Sequence, residues 1–156
     1  EAKALKTLCL AYHAKLIVND DIDLALEAGA DGVHLGQDDG SARDARTILG
    51  PNAIIGVTCH DQIALAEVAL EQGASYVAFG RFFPSHTKPD ARPAQLSLLT
   101  QAQRLRAHTT AIGGITVDNA APLIAAGVSS IAVCHSLFGS NDIKRRAQDF
   151  CQLFNT

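Results

Sequence analysis

The chain has 156 residues, a net charge of −3, 47% apolar residues, four cysteines, and neither Trp nor Met. That is one domain's length with enough apolar residue for a sizeable core, and small apolar residues suit helices packed on a parallel sheet. No basic stripe points to nucleic acid, no polybasic helix to a membrane surface, and no apolar run is long enough to span a bilayer.

In chain order, residues 1–13 place Ala4, Leu5, Leu8, Cys9 and Tyr12 on one helical face. A strand over 15–18 ends at Asn19-Asp20-Asp21, and a short helix over 22–28 closes at Gly29. The next strand, 32–35, ends in Gly36-Gln37-Asp38-Asp39. Ser41 caps a predicted helix through Leu49, stopped by Gly50-Pro51. A third strand, 54–57, precedes Thr58-Cys59-His60, and Asp61 is expected to cap a helix that ends at Gly73. A fourth strand, 76–79, opens into a long loop whose prolines at 84, 89 and 93 exclude a helix until about Ala94. A helix over about 95–107 follows, then a strand at 109–112 ending in Gly113-Gly114-Ile115-Thr116. The next helix is expected to have Asp118 near its start and Gly127 at its end. A sixth strand, 131–133, ends at Cys134-His135, and an amphipathic helix over about 141–154 finishes the pattern.

This α(βα)₆ alternation predicts a parallel sheet in an α/β fold. Glu27-Ala28-Gly29-Ala30-Asp31-Gly32-Val33, Glu71-Gln72-Gly73-Ala74-Ser75-Tyr76-Val77 and Ala125-Ala126-Gly127-Val128-Ser129-Ser130-Ile131 repeat one helix–Gly–strand joint. The polar clusters all follow strands, the face on which TIM barrels place their sites. A doubly wound sheet is the rival, but no G-x-G-x-x-G follows the first strand. A TIM (β/α)8-type barrel is therefore expected, one domain over 1–156 with about six of the eight βα units present. A chain that opens at Glu1 directly in a helical pattern is expected to be a fragment or a processed product. Cysteines at 9, 59, 134 and 151 form no C-x-x-C pair, which predicts reduced thiols and a cytoplasmic location.

Asp20 and Asp39 follow consecutive strands, where two carboxylates can converge on a hard cation such as Mg²⁺; capping or solvated turn charge is the plainer alternative, and Asp21 and Asp38 compete for the role. Ser85, Thr87 and Lys88 give the long loop two hydroxyls and a cation, which suit a phosphate, although a solvated loop has the same composition. Gly113-Gly114 lets backbone N–H groups approach a phosphate, or forms a tight turn. Cys59-His60 and Cys134-His135 are poor zinc pairs, because adjacent residues on an extended chain point apart. His34, inside a strand, is expected to be a satisfied interior polar residue rather than a residue reaching the site.

Five stretches together resemble the thiamine phosphate synthases. They are Leu16-Ile17-Val18-Asn19-Asp20, Gly32-Val33-His34-Leu35-Gly36-Gln37-Asp38-Asp39, Ile55-Gly56-Val57-Thr58-Cys59-His60, the loop Phe83-Pro84-Ser85-His86-Thr87-Lys88-Pro89-Asp90, and Ala111-Ile112-Gly113-Gly114-Ile115-Thr116. The resemblance implies a (β/α)8 transferase that joins 4-amino-2-methyl-5-(diphosphooxymethyl)pyrimidine to a thiazole phosphate and releases pyrophosphate. It implies that Asn19 binds the diphosphate, Asp20 and Asp39 hold Mg²⁺, and Thr58 binds the pyrimidine substrate. Ser85, His86 and Thr87 then meet the thiazole phosphate, Lys88 the pyrophosphate, and Gly114 supplies a backbone contact. Lys88 and Thr58 are the implied catalytic residues. Cys134 and His135 stand where relatives often carry an aliphatic residue and a Ser at the thiazole phosphate. The family's first strand, first helix and second strand, with a Gln-x-Arg-x-Lys stretch, have no counterpart, so a second copy in a homo-oligomer is one way to cover the sheet edges. A thiazole tautomerase-like protein and a non-catalytic phosphate-binding remnant are the alternatives.

Overall fold

Strand and helix alternate along the residues described, 1–84 and 93–155 of a computed structural model. The order is α1 (Ala2–Ala11), β1 (Ile17–Asn19), α2 (Ile22–Ala28), β2 (Gly32–Leu35), α3 (Ala42–Leu49), β3 (Ile54–Thr58), α4 (Ile63–Glu71) and β4 (Tyr76–Gly80). Then come α5 (Leu96–Ala102) with a 3-10 turn at Gln103–Leu105, β5 (His108–Ile112), α6 (Ala121–Ala125), β6 (Ser130–Ala132), α7 (His135–Phe138) and α8 (Ile143–Gln152). The strands form one six-stranded sheet in sequential order, β1 to β6. The pairs β1–β2, β2–β3 and β5–β6 are parallel. Parallel neighbours joined through helices are the βα repeat of a TIM-type barrel, as the sequence predicts.

The chain divides into two compact units, Glu1–Cys59 with Ala64–Val77, and His60–Ile63 with Ala78–Thr156. In the first, Val33, Leu35, Ile55, Ala45 and Ala66 are fully buried. Strands β2 and β3 are covered along most of their length, which is why they read as nearly continuous apolar runs. In the second, Phe79, Ala111, Ala120 and Leu123 are fully buried.

Local sequence sets the helix ends. Asp21 accepts the N–H of Leu24 to cap α2, and Gly29 closes it at φ 62° in the left-handed region. Ser41 accepts the N–H of Asp44 to cap α3, and its hydroxyl donates to the Asp44 carboxylate.

The repeated joint is a reciprocal pair of hydrogen bonds, made three times. Asp31 N–H donates to Leu16 O, Ser75 N–H to Ile55 O and Ser129 N–H to Thr109 O, at 2.8, 2.7 and 2.9 Å. The side chains of Asp31, Ser75 and Ser129 accept the N–H of those same residues in return. In the first unit Arg46 adds a clamp, donating to the carbonyls of Gly50, Pro51, Ala53 and Gly73 and to Ser75 Oγ.

Several boundaries differ from expectation. Helix α4 begins at Ile63, so Asp61 lies before it rather than at its cap. Helix α6 begins at Ala121, and Asp118 lies in the preceding turn, which Asn119 holds by accepting the N–H of Thr116. Strand β1 starts at Ile17 because both backbone groups of Leu16 are taken by Asp31. The turn of helix at His135–Phe138 was not expected. The apolar face of α1 is not buried, since Leu5, Leu8 and Tyr12 are 50%, 55% and 77% exposed. Lys3 and Lys6 tie that helix to Glu27 and Asp31 instead.

Candidate active site

In the first unit the candidate residues sit at the carboxyl ends of strands. Asn19 is the last residue of β1 and lies in register with His34 of β2. The N–H of Asp20 donates to His34 O at 2.7 Å, and Asp20 then turns the chain at φ 68°, a conformation aspartate tolerates better than most residues. Asn19 and Asp20 are both exposed at the head of this turn. After β2 the chain loops back, and Gly36 N–H donates to Asp39 Oδ2 at 2.8 Å. A Cβ at Gly36 would lie 2.6 Å from that oxygen, so a side chain there would displace the Asp39 carboxylate.

Thr58 ends β3. Its Oγ1 lies 2.8 Å from His34 Nε2, and His34 Nδ1 lies 2.9 Å from the Tyr76 hydroxyl. The His34 and Tyr76 rings stack with centroids 5.5 Å apart. Gln37 Nε2 donates to the Thr58 carbonyl at 2.5 Å. Burial raises the Tyr76 phenol above its usual range, so it stays protonated at neutral pH. His34 is thus the satisfied polar residue expected, and it also reaches candidate site residue Thr58. Tyr76 and Gln37 were missed as members of this cluster. The available signal was Gly56 inside a strand, where a Cβ would lie 2.0 Å from Tyr76 Cζ.

In the second unit, Gly113 and Gly114 have φ 102° and 62°. The chain leaving β4 passes over them: Phe82 N–H donates to Ile112 O and Phe83 N–H to Gly113 O, at 3.2 and 3.1 Å. A Cβ at Gly114 would lie 2.2 Å from Pro84 O. The glycine pair therefore admits a crossing backbone, a role the sequence did not reveal. Asn119 Nδ2 donates to Gly114 O at 3.1 Å and fixes the turn. Cys134 and His135 are exposed, Cys134 at the N-cap of α7 and His135 its first residue. The extended-chain picture of that pair is corrected, since His135 is helical. One residue on, Ser136 Oγ donates to Ile115 O at 2.5 Å. Ser85, His86, Thr87 and Lys88 lie outside the described residues.

Among the described residues no three His, Cys, Asp or Glu side chains gather as a metal cage. Asp20 and Asp39 offer hard oxygen donors, both exposed and each after one of two paired strands. Mg²⁺ takes one or two carboxylates and completes its shell with water and substrate phosphate, so this donor chemistry fits that ion.

Residues 1–137 match the family model described as thiamine monophosphate synthase. The chain belongs to that family. It is 60% identical over 149 residues to the thiamine-phosphate synthase of Saccharophagus degradans, covering 95% of this chain and 69% of that one. It is 51% identical over 155 residues to the thiamine-phosphate synthase of Methylobacillus flagellatus, covering 99% and 74%. The thiamine phosphate pyrophosphorylase structure from Pyrococcus furiosus superposes with a TM-score of 0.89 at 34% identity, covering 99% of this chain and 74% of that one. KGPDC from Streptococcus mutans, at TM-score 0.76 and 14% identity, shares the fold. The thiamine monophosphate synthase family is one of transferases, and this chain is an enzyme of that class acting on small molecules. No helix among the described residues is long and apolar enough to cross a membrane.

Proposed function

We propose that the protein condenses 4-amino-2-methyl-5-(diphosphooxymethyl)pyrimidine with thiazole phosphate to give thiamine phosphate and pyrophosphate. The observation that carries this is the 60% identity to a thiamine-phosphate synthase across 95% of the chain. The exposed polar residues Asn19, Asp20 and Asp39 beyond paired strands support it, because a diphosphate needs donors and cations on that face. Retention of Asn19, Asp20, Asp39 and Lys88 favours a synthase over a tautomerase, which has no diphosphate to release.

In this proposal Asn19 donates to the diphosphate of the pyrimidine substrate. Asp20 and Asp39 hold Mg²⁺, which when bound supplies positive charge against the leaving diphosphate. Lys88 adds a second cation on the departing pyrophosphate. Thr58 hydrogen-bonds the pyrimidine substrate and fixes its orientation. Ser85, His86 and Thr87 bind the thiazole phosphate, joined by the Gly114 backbone and by backbone groups at Cys134 and His135. The carbon–oxygen bond to diphosphate breaks with its electron pair leaving on oxygen, and the thiazole nitrogen forms the new carbon–nitrogen bond. The protein's work is placement and charge, with no covalent nucleophile. The four free thiols fit a reducing compartment, and we place the enzyme in the cytoplasm.

The test is thiamine phosphate formation by the purified protein with both substrates and Mg²⁺. Product that depends on both substrates and on the metal is expected. A folded protein that binds neither substrate overturns the proposal.

A further inference from the structure

Resting on that function, we infer that His34 and Tyr76 are positioning residues that set the Thr58 hydroxyl as a fixed hydrogen-bond donor to the pyrimidine substrate. All three belong to the first compact unit and come from β2, β4 and β3. Tyr76 OH, His34 Nδ1, His34 Nε2 and Thr58 Oγ1 form one chain with links of 2.9 and 2.8 Å.

The direction of the chain follows from donor and acceptor strength. A phenol is a better donor than acceptor, and an unprotonated imidazole nitrogen is the best neutral acceptor available to it. Tyr76 O–H therefore donates to Nδ1. The imidazole proton is then on Nε2, which donates to Thr58 Oγ1. With that oxygen receiving a bond from His34, the Thr58 proton is available to an acceptor outside the chain. The opposite tautomer would consume the Thr58 proton on Nε2 and leave the hydroxyl able only to accept. A substrate with ring nitrogens and diphosphate oxygens offers acceptors, so the first arrangement suits it.

Four further features hold the geometry. Threonine is β-branched, so fixing Oγ1 restricts χ1. Stacking on Tyr76 fixes the plane of the imidazole. Gln37 holds the Thr58 carbonyl, so backbone and side chain of the same residue are both anchored. Gly56 leaves the space that the Tyr76 ring occupies.

The test compares four single variants and one double variant by steady-state kinetics, each checked for folding by thermal midpoint. Glutamine's terminal amide overlays the Nε2 position, so His34→Gln keeps a donor toward Thr58; asparagine's overlays Nδ1, so His34→Asn does not. Thr58→Val and His34→Asn should each raise KM for the pyrimidine diphosphate about tenfold, the loss of one hydrogen bond to a charged or polar ligand. KM for thiazole phosphate should hold. His34→Gln should return to within about threefold of the parent, and Tyr76→Phe should fall between the two. The double variant Thr58→Val/His34→Asn should be no worse than Thr58→Val alone. Equal effects of His34→Gln and His34→Asn, additive effects in the double variant, or parallel rises in both KM values would overturn the inference. Nitrogen-15 NMR of the histidine ring gives a reading independent of turnover: His34 should be the Nε2–H tautomer, and a Nδ1–H form refutes the relay. If the parent protein makes no thiamine phosphate, the substrate assignment falls with the proposed function, and the NMR tautomer alone upholds or refutes the relay.

Discussion

Leu16 and Asp31 exchange two hydrogen bonds, Leu16 N–H to Asp31 Oδ2 at 2.9 Å and Asp31 N–H to Leu16 O at 2.8 Å. Lys6 and Lys15 reach the same carboxylate at 2.6 and 3.1 Å. The Lys6 contact first, then the Leu16 N–H and Lys15, hold the Asp31 carboxyl far below the usual range against the opposing effect of burial. A carboxyl depressed on folding stabilises the native state above its unfolded pKa, about 3.9, and loses that contribution as pH falls through the folded value. Asp31→Asn should cost about 1–2 kcal/mol at neutral pH, with the gap narrowing as pH drops from about 5 to about 2. Urea unfolding across that range checks it, and a gap independent of pH would refute the role of charge.

The serines at the other two joints make the same exchange without charge. Ser129→Ala should cost about 1 kcal/mol, the net value of one neutral hydrogen bond. Ser75→Ala should cost more, because Ser75 Oγ also receives Arg46 Nη2 at 3.1 Å and donates toward Ala53 O. Neither loss should change with pH near neutrality. Chemical denaturation of both variants ranks them, and equal losses would mean the Arg46 contact contributes nothing.

Gly56→Ala tests the space left for Tyr76. The new methyl would meet Cζ and the hydroxyl oxygen at 2.0 and 2.3 Å, so the ring must leave the position from which it meets His34. Overpacking of this kind costs about 1–3 kcal/mol. The thermal midpoint should fall, and KM for the pyrimidine diphosphate should rise with it. An unchanged midpoint would show that the ring relocates without penalty.

These positions also show what the sequence carries. The Gly-Ala/Val-Asp/Ser phrase repeats visibly because each copy must turn the chain at glycine and then clasp the preceding strand, so local pattern and tertiary contact coincide. Strand ends at Asn19 and Thr58 were legible for the same reason: apolar runs stop there. The cluster around His34 was only partly legible, because Tyr76 is 42 residues away in sequence and pairing across strands leaves no local trace. Gly113-Gly114 read as a phosphate turn or a tight turn, and the further role of admitting the backbone at Phe82 and Phe83 depends on a segment 30 residues earlier that composition alone does not place. The helix at His135 escaped because four residues carry no helical period.

Thiol reactivity should divide by burial. Cys59 is fully buried, its Sγ–H directed at Val57 O, and burial pushes its pKa up to about 12. The thiolate is the reactive form, so Cys59 should resist iodoacetamide at mildly alkaline pH until the protein unfolds. Cys134 and Cys151 are exposed and should be labelled in the native state. Peptide mass mapping reads both. Native labelling at Cys59 would mean that the end of β3 opens readily.

Asp39 separates metal binding from loop structure, because its Oδ2 already accepts the Gly36 N–H. Asp39→Ala should remove both a proposed Mg²⁺ donor and that bond, and so lower the thermal midpoint as well as activity. Asp39→Asn keeps a carbonyl oxygen for Gly36 and weakens only the charge offered to a cation. It should hold the midpoint close to the parent while losing most Mg²⁺-dependent turnover. Asp20→Ala should likewise lose turnover, while the backbone N–H of Asp20 can still donate to His34 O. Chelation of the parent protein should reproduce the Asp39→Asn phenotype, and adding Mg²⁺ back should restore the parent but not the variant. Full Mg²⁺-dependent activity in Asp39→Asn would remove Asp39 from the metal site and leave it as the residue that closes the loop after β2.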